Sequence, residues 1–509
     1  MLPALDTLSA LASAPHATAM REVVAPFSDA TIARVPEATE ACVETALTRA
    51  RSVQPDWAAW PVPARCAVAM RFHDLILEHR EAICTLMQVE SGKARRHALE
   101  EVLGVALVAR YYARRAPALL RPKRRRGLFP VLTRTVEAPL PVGVVGVIAP
   151  WNYPFTIPLS DTVPALLAGN AVVLKPAETT PLTSLVGLAL LQAAGLPDGV
   201  LQVVTGAGEV VGQALAEAAD FVQFTGSTEV GRRVAAIAAR RLVPASMELG
   251  GKNAAVVLED AALGSTVEGL VRACFSNAGQ LCISAERVLI QRSRYAEVRD
   301  AFVARTRSMR IGPGPGYDIE MGALVSREQL DKTHAHVEDA RAKGARVLCG
   351  GRPLPALGPT FYAPTLLEGA TPAMQLYEEE TFGPVAALFP FDTDDEAVAL
   401  ANDTPYGLNA SIWTSDAARG ERLARRLRYG TVGLNDGYVA TYGSTDAPMG
   451  GIKASGLGRR HGAHGLLKYT EAQTLAHQRF HGAGPTPYEP PEVFYPVLAR
   501  AISALRVLP

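Results

Sequence analysis

Cysteine is scarce and scattered: six among 509 residues, at positions 42, 66, 84, 274, 282 and 349, with no Cys-X-X-Cys pair. That excludes a disulfide scaffold, offers no structural-zinc spacing, and makes a reducing, cytosolic setting the expectation. Net charge is nearly absent as well. Fifty-one basic and 50 acidic side chains leave +1, too little for a global field drawing the chain to nucleic acid or an anionic membrane. No stretch approaches the ~18 uninterrupted apolar residues of a transmembrane helix. The N-terminal MLPALDTLSALASAPHATAMREVV lacks the basic start and apolar run of a signal peptide. Aromatics are only 6%, against 48% hydrophobic and 20% charged residues, the balance of a globular Ala/Val/Leu-rich chain, not a disordered or fibrous one. At ~100–200 residues per domain, about two to four domains fit.

Residues 36–120 read as helices. Apolar positions recur at three- and four-residue steps through CAVAMRFHDLILEHREAICTLMQVESG, which Gly92 closes. The stretch 121–140 differs: Arg121, Lys123, Arg124, Arg125 and Arg126 precede alternating Val, Leu and Thr, the pattern of an extended arm or hairpin. Without interleaved aromatics, this basic cluster reads as a solvated surface or subunit contact and not as a nucleic-acid patch. From 142 to about 260, β-branched runs stopped by Gly or Pro (VGVVGVIAP, NAVVLKP, GVLQVVTG, DFVQFTG, NAAVVLED) alternate with Ala/Leu-rich helical segments. That alternation predicts an α/β fold with a parallel sheet covered on both faces, binding ligands at the carboxyl ends of its strands. Another α/β pattern runs from 262 to about 448. The tail after 476 is a Pro/Gly linker and a short amphipathic helix expected to pack on the protein's own surface.

Several polar residues fall at predicted strand ends: Asn152 after one strand, Lys175 and Glu178 after another. Gly206, Gly208 and Gly212 form one turn and FTGSTEVG (224–231) the next. A glycine turn opening a helix lets backbone N–H groups approach a phosphate, although each turn alone is ordinary chemistry and Gly206–Gly212 departs from the GxGxxG spacing. Cys282 lies in FSNAGQLCIS, a small, polar stretch that leaves a thiol accessible, whereas Cys274 has helix-like neighbours and reads as buried and inert. A reactive Cys282 needs an acid or base partner. Glu248 in MELGGK, a lone carboxylate after a strand, is the candidate, because burial there raises its pKa toward the range of a general base.

PWNYP, KPAE, FTGSTEVG, ELGGK, FSNAGQLC and EETFGPV stand in the order and approximate spacing of the aldehyde dehydrogenase superfamily, and the chain resembles it from about residue 30 to 475. The resemblance implies a Rossmann-type NAD-binding domain (1–120 and 142–250), an α/β catalytic domain (251–448) and a small β oligomerisation flap (121–141 and 465–480), followed by the tail 481–509. It implies Cys282 as nucleophile, Asn152 with the Cys282 backbone N–H as oxyanion hole, and Glu248 as the base that hydrolyses a thioester. It further implies cofactor contacts from Trp151, Lys175, Glu178, Gly208, Gly212, Phe224, Gly226, Ser227, Gly250, Glu380 and Phe382, with no metal. Lys175 and Glu178 match the pair gripping the adenosine ribose; a carboxylate at 178 would repel a 2′-phosphate, so NAD is expected over NADP. Retention of Glu248 implies a free acid product, since coenzyme-A-acylating members generally lack it. A homodimer or dimer of dimers is expected, with no membrane or nucleic-acid partner.

Two departures bear on mechanism and substrate. Many family members carry Lys nine residues after the oxyanion Asn and Glu in a GRE motif; here these positions hold Asp161 and Arg460, a reversal that predicts a swapped ion pair. Overall similarity is to a bacterial succinate-semialdehyde dehydrogenase-like group. Better-known enzymes of that activity bind the substrate carboxylate with two arginines, where this chain has Ser160 and Ser276. The aldehyde is therefore succinate semialdehyde, its carboxylate held elsewhere, or an uncharged aliphatic or aromatic one. A cysteine hydrolase without redox chemistry is disfavoured because no histidine lies in a motif near 282. A silent relative is disfavoured because Cys282, Glu248 and Asn152 are all intact.

Overall fold

The computed structural model describes residues 4–15, 17–127, 133–479, 484–485, 488–504 and 506. Two large sheets organise the chain. The first has six strands in the order Gly456–Leu457, Ala245–Glu248, Phe221–Thr225, Val144–Ile148, Ala171–Lys175 and Leu201–Val203. All are parallel except the short Gly456–Leu457 strand. Every residue of Val144–Ile148, Ala171–Lys175 and Phe221–Thr225 is buried, as their uninterrupted apolar runs require of strands covered on both faces. Chain order runs outward both ways from Val144–Ile148, which puts a crevice at the carboxyl ends of that strand and its neighbours.

The second sheet has seven strands, Arg346–Cys349, Thr365–Glu368, Val385–Phe391, Ala285–Gln291, Asn253–Val257, Asn409–Trp413 and Thr431–Leu434, parallel apart from the first. Its apolar side chains form a core running from Ala254 to Tyr429, separate from the cores of the six-stranded sheet. The region read as helical contains Glu40–Ala59, Val62–Glu78, Arg80–Ser91 and Arg95–Leu119. The apolar run closed by Gly92 is two helices that meet at His79, and Gly92 ends the second with φ 75°. An antiparallel hairpin, Ala19–Val24 with Thr31–Glu37, precedes them; mixed polar residues on half-exposed strands carried no periodic signal for it.

The extended arm is a strand, Thr133–Pro141, paired antiparallel with both Thr470–Gln478 and Lys123–Arg125. Arg125 spends its charge on Glu137 at 2.7 Å. Residues 128–132 and 480 of the expected flap lie outside the described residues, as do 481–483, 486–487, 505 and 507–509 of the tail. The tail helix, Pro491–Ala504, corrects one expectation: it buries none of its described residues, and Val493, Tyr495, Val497 and Ile502 are exposed. No helix among the described residues is long and apolar enough to cross a membrane.

Candidate active site

The segment after Val144–Ile148 carries Trp151 and Asn152 and then enters the helix Thr156–Leu167. A fully buried ion pair, Lys93 with Glu101, holds that turn. Glu101 Oε2 accepts the backbone N–H groups of Phe155 and Thr156 at 3.1 and 3.0 Å, satisfying donors that the first helical turn leaves free. Lys93 Nζ donates to the Asn152 carbonyl at 2.8 Å, and Asn277 Nδ2 donates to the same oxygen at 3.0 Å. The Asn152 amide gives one hydrogen to the Gln280 carbonyl at 3.1 Å, leaving its second N–H for another acceptor.

The loop that leads to Cys282 is bent by consecutive left-handed residues: Asn277, Ala278 and Gly279 have φ of 51°, 56° and 70°. Gly279 is obligatory, because a Cβ there would run into the Gly383 carbonyl. Asn253 Nδ2 clamps the far side of the loop, donating to the carbonyls of Cys282 and Ser284 at 2.8 Å each. Cys282 is left partly exposed, whereas Cys274 is buried, as their contexts implied.

A cavity of about 210 Å³ joins residues far apart in sequence. Trp151, Asn152, Glu248, Cys282, Glu380 and Phe382 line it, with Gly226, Ser227 and Gly250 at its edge. Burial pushes the Cys282 thiol up to about 12, with the Glu380 charge adding to the effect, so the resting sulfur is protonated. Burial likewise raises Glu248 to about 7, against the pull of Arg460 and Lys468. Glu380 is raised to about 8, first by burial and then by Glu286. A neutral thiol beside a carboxyl group that titrates near neutrality is an arrangement for proton transfer. Trp151 and Phe382 meet edge to face, ring centroids 5.4 Å apart.

The remaining strand-end residues gather outside this cavity. Lys175 Nζ lies 2.8 Å from Glu178 Oε1, the same oxygen that accepts the Gly208 N–H. Gly212 lies near Ile148 in the same turn. Phe224 does not reach the cavity: it is a core side chain, and its ring lies against Gly226, where a Cβ would meet it at 2.6 Å. Ser227 caps the helix Thr228–Arg241 by accepting the Val230 N–H at 3.4 Å, so the positive end of a 14-residue helix opens at the cavity rim. Backbone bare of side chains at Gly208 and Gly250, a helix N-terminus between them and carboxylates at both ends fit an elongated dinucleotide.

Sequence reasoning missed the supports. Lys252 and Glu286 form a second buried ion pair; Glu286 accepts the N–H groups of Thr381 and Phe382 at 3.0 and 2.9 Å, and Lys252 donates to the Glu379 carbonyl at 2.8 Å. Together they hold Phe382 at φ 56°. Their signal was a charged residue just before the strand Asn253–Val257 and another inside the buried strand Ala285–Gln291. Gln329, Lys332 and Thr225 also line the cavity without having been singled out. The swapped pair is present: Arg460 Nη2 lies 2.8 Å from Asp161 Oδ2.

The aldehyde dehydrogenase family profile matches residues 13–475. A protein of Mycolicibacterium smegmatis, provisionally named succinate-semialdehyde dehydrogenase [NADP(+)], is 47% identical over 94% of this chain and 91% of its own. A similarly named protein of Sinorhizobium fredii is 38% identical over 91% and 95%. Among solved structures, betaine aldehyde dehydrogenase of Staphylococcus aureus in complex with NAD+ superposes with TM-score 0.88 at 30% identity, over 94% of this chain and 97% of that one. The NAD+ complex of an aldehyde dehydrogenase from Bacillus cereus gives 0.86 at 34%, over 90% and 93%. The chain belongs to the aldehyde dehydrogenase family. It is an oxidoreductase acting on the aldehyde group, with a nicotinamide nucleotide as cofactor.

Proposed function

We propose that this enzyme oxidises an aldehyde to the free carboxylic acid through covalent intermediates on Cys282. The Cys282 thiol gives up its proton to solvent and adds to the aldehyde carbon to form a thiohemiacetal. The oxyanion accepts from the spare Asn152 amide N–H and the Cys282 backbone N–H, a donor set worth ~3–4 kcal/mol per side-chain donor. When bound, a nicotinamide nucleotide supplies the hydride acceptor that turns the thiohemiacetal into a thioester. Glu248 then draws a proton from water as it attacks the thioester carbonyl, releasing the acid and restoring the thiol. Glu380 would hold the nicotinamide ribose, with Trp151 and Phe382 beside the ring. Lys175 and Glu178 would hold the adenosine ribose, with Gly208, Gly212, Gly226, Ser227 and Gly250 clearing space for the backbone of the cofactor. Phe224, packed against Gly226, would support that turn from the core.

The observation that carries this reading is the one cavity shared by Cys282, Asn152, Glu248 and Glu380. NAD is the preferred form: Glu178 Oε1 is spent on Lys175 and Gly208, and the rest of the carboxylate would meet the adenosine ribose and repel a 2′-phosphate. The six-stranded sheet would form the cofactor domain, the seven-stranded sheet the catalytic domain, and the three-stranded ladder a flap that pairs subunits into a cytosolic dimer or dimer of dimers. Purified protein mixed with NAD+ and an aldehyde should raise absorbance at the reduced-cofactor band; Cys282→Ala should abolish the rise, and an active Cys282→Ala enzyme refutes the proposal.

The names of the relatives favour succinate semialdehyde as substrate. A second reading, an uncharged aldehyde, has its own observation. The Ser276 hydroxyl is bonded to the Tyr438 hydroxyl at 2.9 Å, and Glu100 Oε2 lies 3.2 Å from the same Tyr438 oxygen. A carboxylate therefore stands beside one of the two positions where a guanidinium would be needed. Kinetics on succinate semialdehyde and its uncharged four-carbon analogue separate the readings: a ~100-fold preference, about 2.7 kcal/mol, for either one decides.

A further inference from the structure

The polar cluster behind Glu248 extends past the ion pair of Asp161 with Arg460. Arg460 Nη2 donates to Asp161 Oδ2 at 2.8 Å and to Thr225 Oγ1 at 2.9 Å, and Thr225 is part of the cavity wall. Lys468 Nζ reaches Asp161 Oδ1 at 3.4 Å and Gln223 Oε1 at 2.8 Å, and the Tyr469 hydroxyl donates to Asp161 Oδ1 at 3.2 Å. Asp161 thus accepts from three side chains. Arg460 Nε and Glu248 Oε1 are buried and without a hydrogen bond, as is Gln223 Nε2 of the same cluster. Glu248 Oε1 lies 3.0 Å from the place a Cβ on Gly450 would take. Gly450 follows Met449, whose backbone exchanges hydrogen bonds of 2.8 and 2.7 Å with Arg460. An unmade hydrogen bond is costly to either group, so their shared neighbourhood asks for a reason other than stability.

We propose that Arg460 is a positioning residue for Glu248: anchored to Asp161 through Nη2, its guanidinium stands behind the base with Nε–H free to donate to Oε1, favouring the ionised carboxylate against burial and giving it a defined resting place. An arginine keeps its proton at any working pH and cannot hand one on, so the reversed pair acts as a fixed charge and not as a proton relay. The inference rests on the reading of Glu248 as the base. The charges facing Glu248 come from several elements. Arg460, Arg459 and Lys468 favour its ionised form; Asp161, on the helix Thr156–Leu167, opposes it. The two members of one ion pair therefore act on Glu248 with opposite sign.

An activated ester tests this without cofactor. With 4-nitrophenyl acetate, Cys282 sulfur bonds to the acetyl carbon as 4-nitrophenolate leaves, which gives a burst. Water then cleaves the thioester to acetate and thiol, which gives the steady phase. Measured from about pH 6 to pH 9, the wild-type steady phase should show an acid limb near the Glu248 value of about 7. Arg460→Met should move the limb up by about one unit, so that the steady rate at pH 7 falls ~5-fold with the burst unchanged and recovers at high pH. Arg460→Lys, which keeps the cation, should restore the wild-type limb, and Asp161→Asn should move the limb down. Limbs that move in the same direction, or rates that merely scale at every pH, overturn the inference. Should Arg460→Met fail to fold, Asp161→Asn decides, since an unmoved limb there overturns it as well. Glu248→Gln separates the two readings: loss of the steady phase with the burst retained supports the base, whereas a normal steady phase means that the base reading itself has failed.

Discussion

Lys93 tests whether Asn152, the proposed oxyanion donor, is held from outside. Its ammonium is fully buried, pairs with Glu101, donates to the Asn152 carbonyl at 2.8 Å and sits 4.4 Å over the Tyr153 ring. Lys93→Met keeps the volume and removes all of the charge. Glu101 then retains the N–H groups of Phe155 and Thr156 but is a buried carboxylate without a cation, which costs ~3–5 kcal/mol. Asn152 keeps only the Asn277 amide on its carbonyl, at 3.0 Å, so its side chain loses half of the framework that aims it. A displaced oxyanion donor costs ~10²–10³-fold in rate. The acylation burst with an activated ester or an aldehyde should fall by that factor, while cofactor affinity measured by fluorescence quenching stays within about threefold, because Lys175, Glu178 and Ser227 are untouched. Adding Glu101→Gln should recover part of the stability and none of the rate. Wild-type acylation in Lys93→Met, or an equal loss of cofactor binding, would refute the argument.

Gly279→Ala should abolish activity and cost at least ~2–3 kcal/mol, since φ is 70° and the Gly383 carbonyl occupies the site, whereas Gly195→Ala, with φ 98° and open space, should cost only about 1 kcal/mol; denaturant melts compare them. Glu178→Ser should weaken NAD+ by ~10-fold and gain NADP+ turnover; no gain counts against the adenosine assignment. Glu248 carries a raised pKa in the fold, so its neutral form is the compatible one and stability falls as pH rises through about 7. Glu248→Gln should therefore melt higher than wild type above neutrality and equal to it at acidic pH. Alkylation of Cys282 should keep accelerating past pH 9, because its thiolate fraction is still growing toward a value of about 12; a plateau near pH 8 would contradict that. In the flap, Leu475 is 65% exposed on the strand Thr470–Gln478, and Leu475→Glu should lower the oligomer mass seen by light scattering.

How much of the site was legible depended on the range of the interactions involved. Asn152, Lys175 and Glu248 announced themselves because a buried strand ending in a polar residue is a local pattern, and the six-stranded sheet sets those ends side by side. Cys282 was legible from its small, polar neighbours. The charges that hold these groups were not, because each works across the fold: Lys93 is 59 residues from Asn152, Glu286 is 96 from Phe382, and Arg460 is 299 from Asp161. Phe224 packs in the core against Gly226, which the sequence pattern did not foretell. In a strand buried on both faces, alternation does not say which side chain meets the ligand and which meets the core.

Local sequence thus determined most of the strands and helices and the candidates for the reacting groups, since periodicity, turn chemistry and side-chain type act over a few residues. Tertiary structure decided the rest: the order of the strands, the left-handed turn that exposes one sulfur, and the burial that lifts Cys282, Glu248 and Glu380 from their ordinary ionisation. Burial and long-range charge belong to the packed assembly, because the dielectric around a group is set by every element that closes over it.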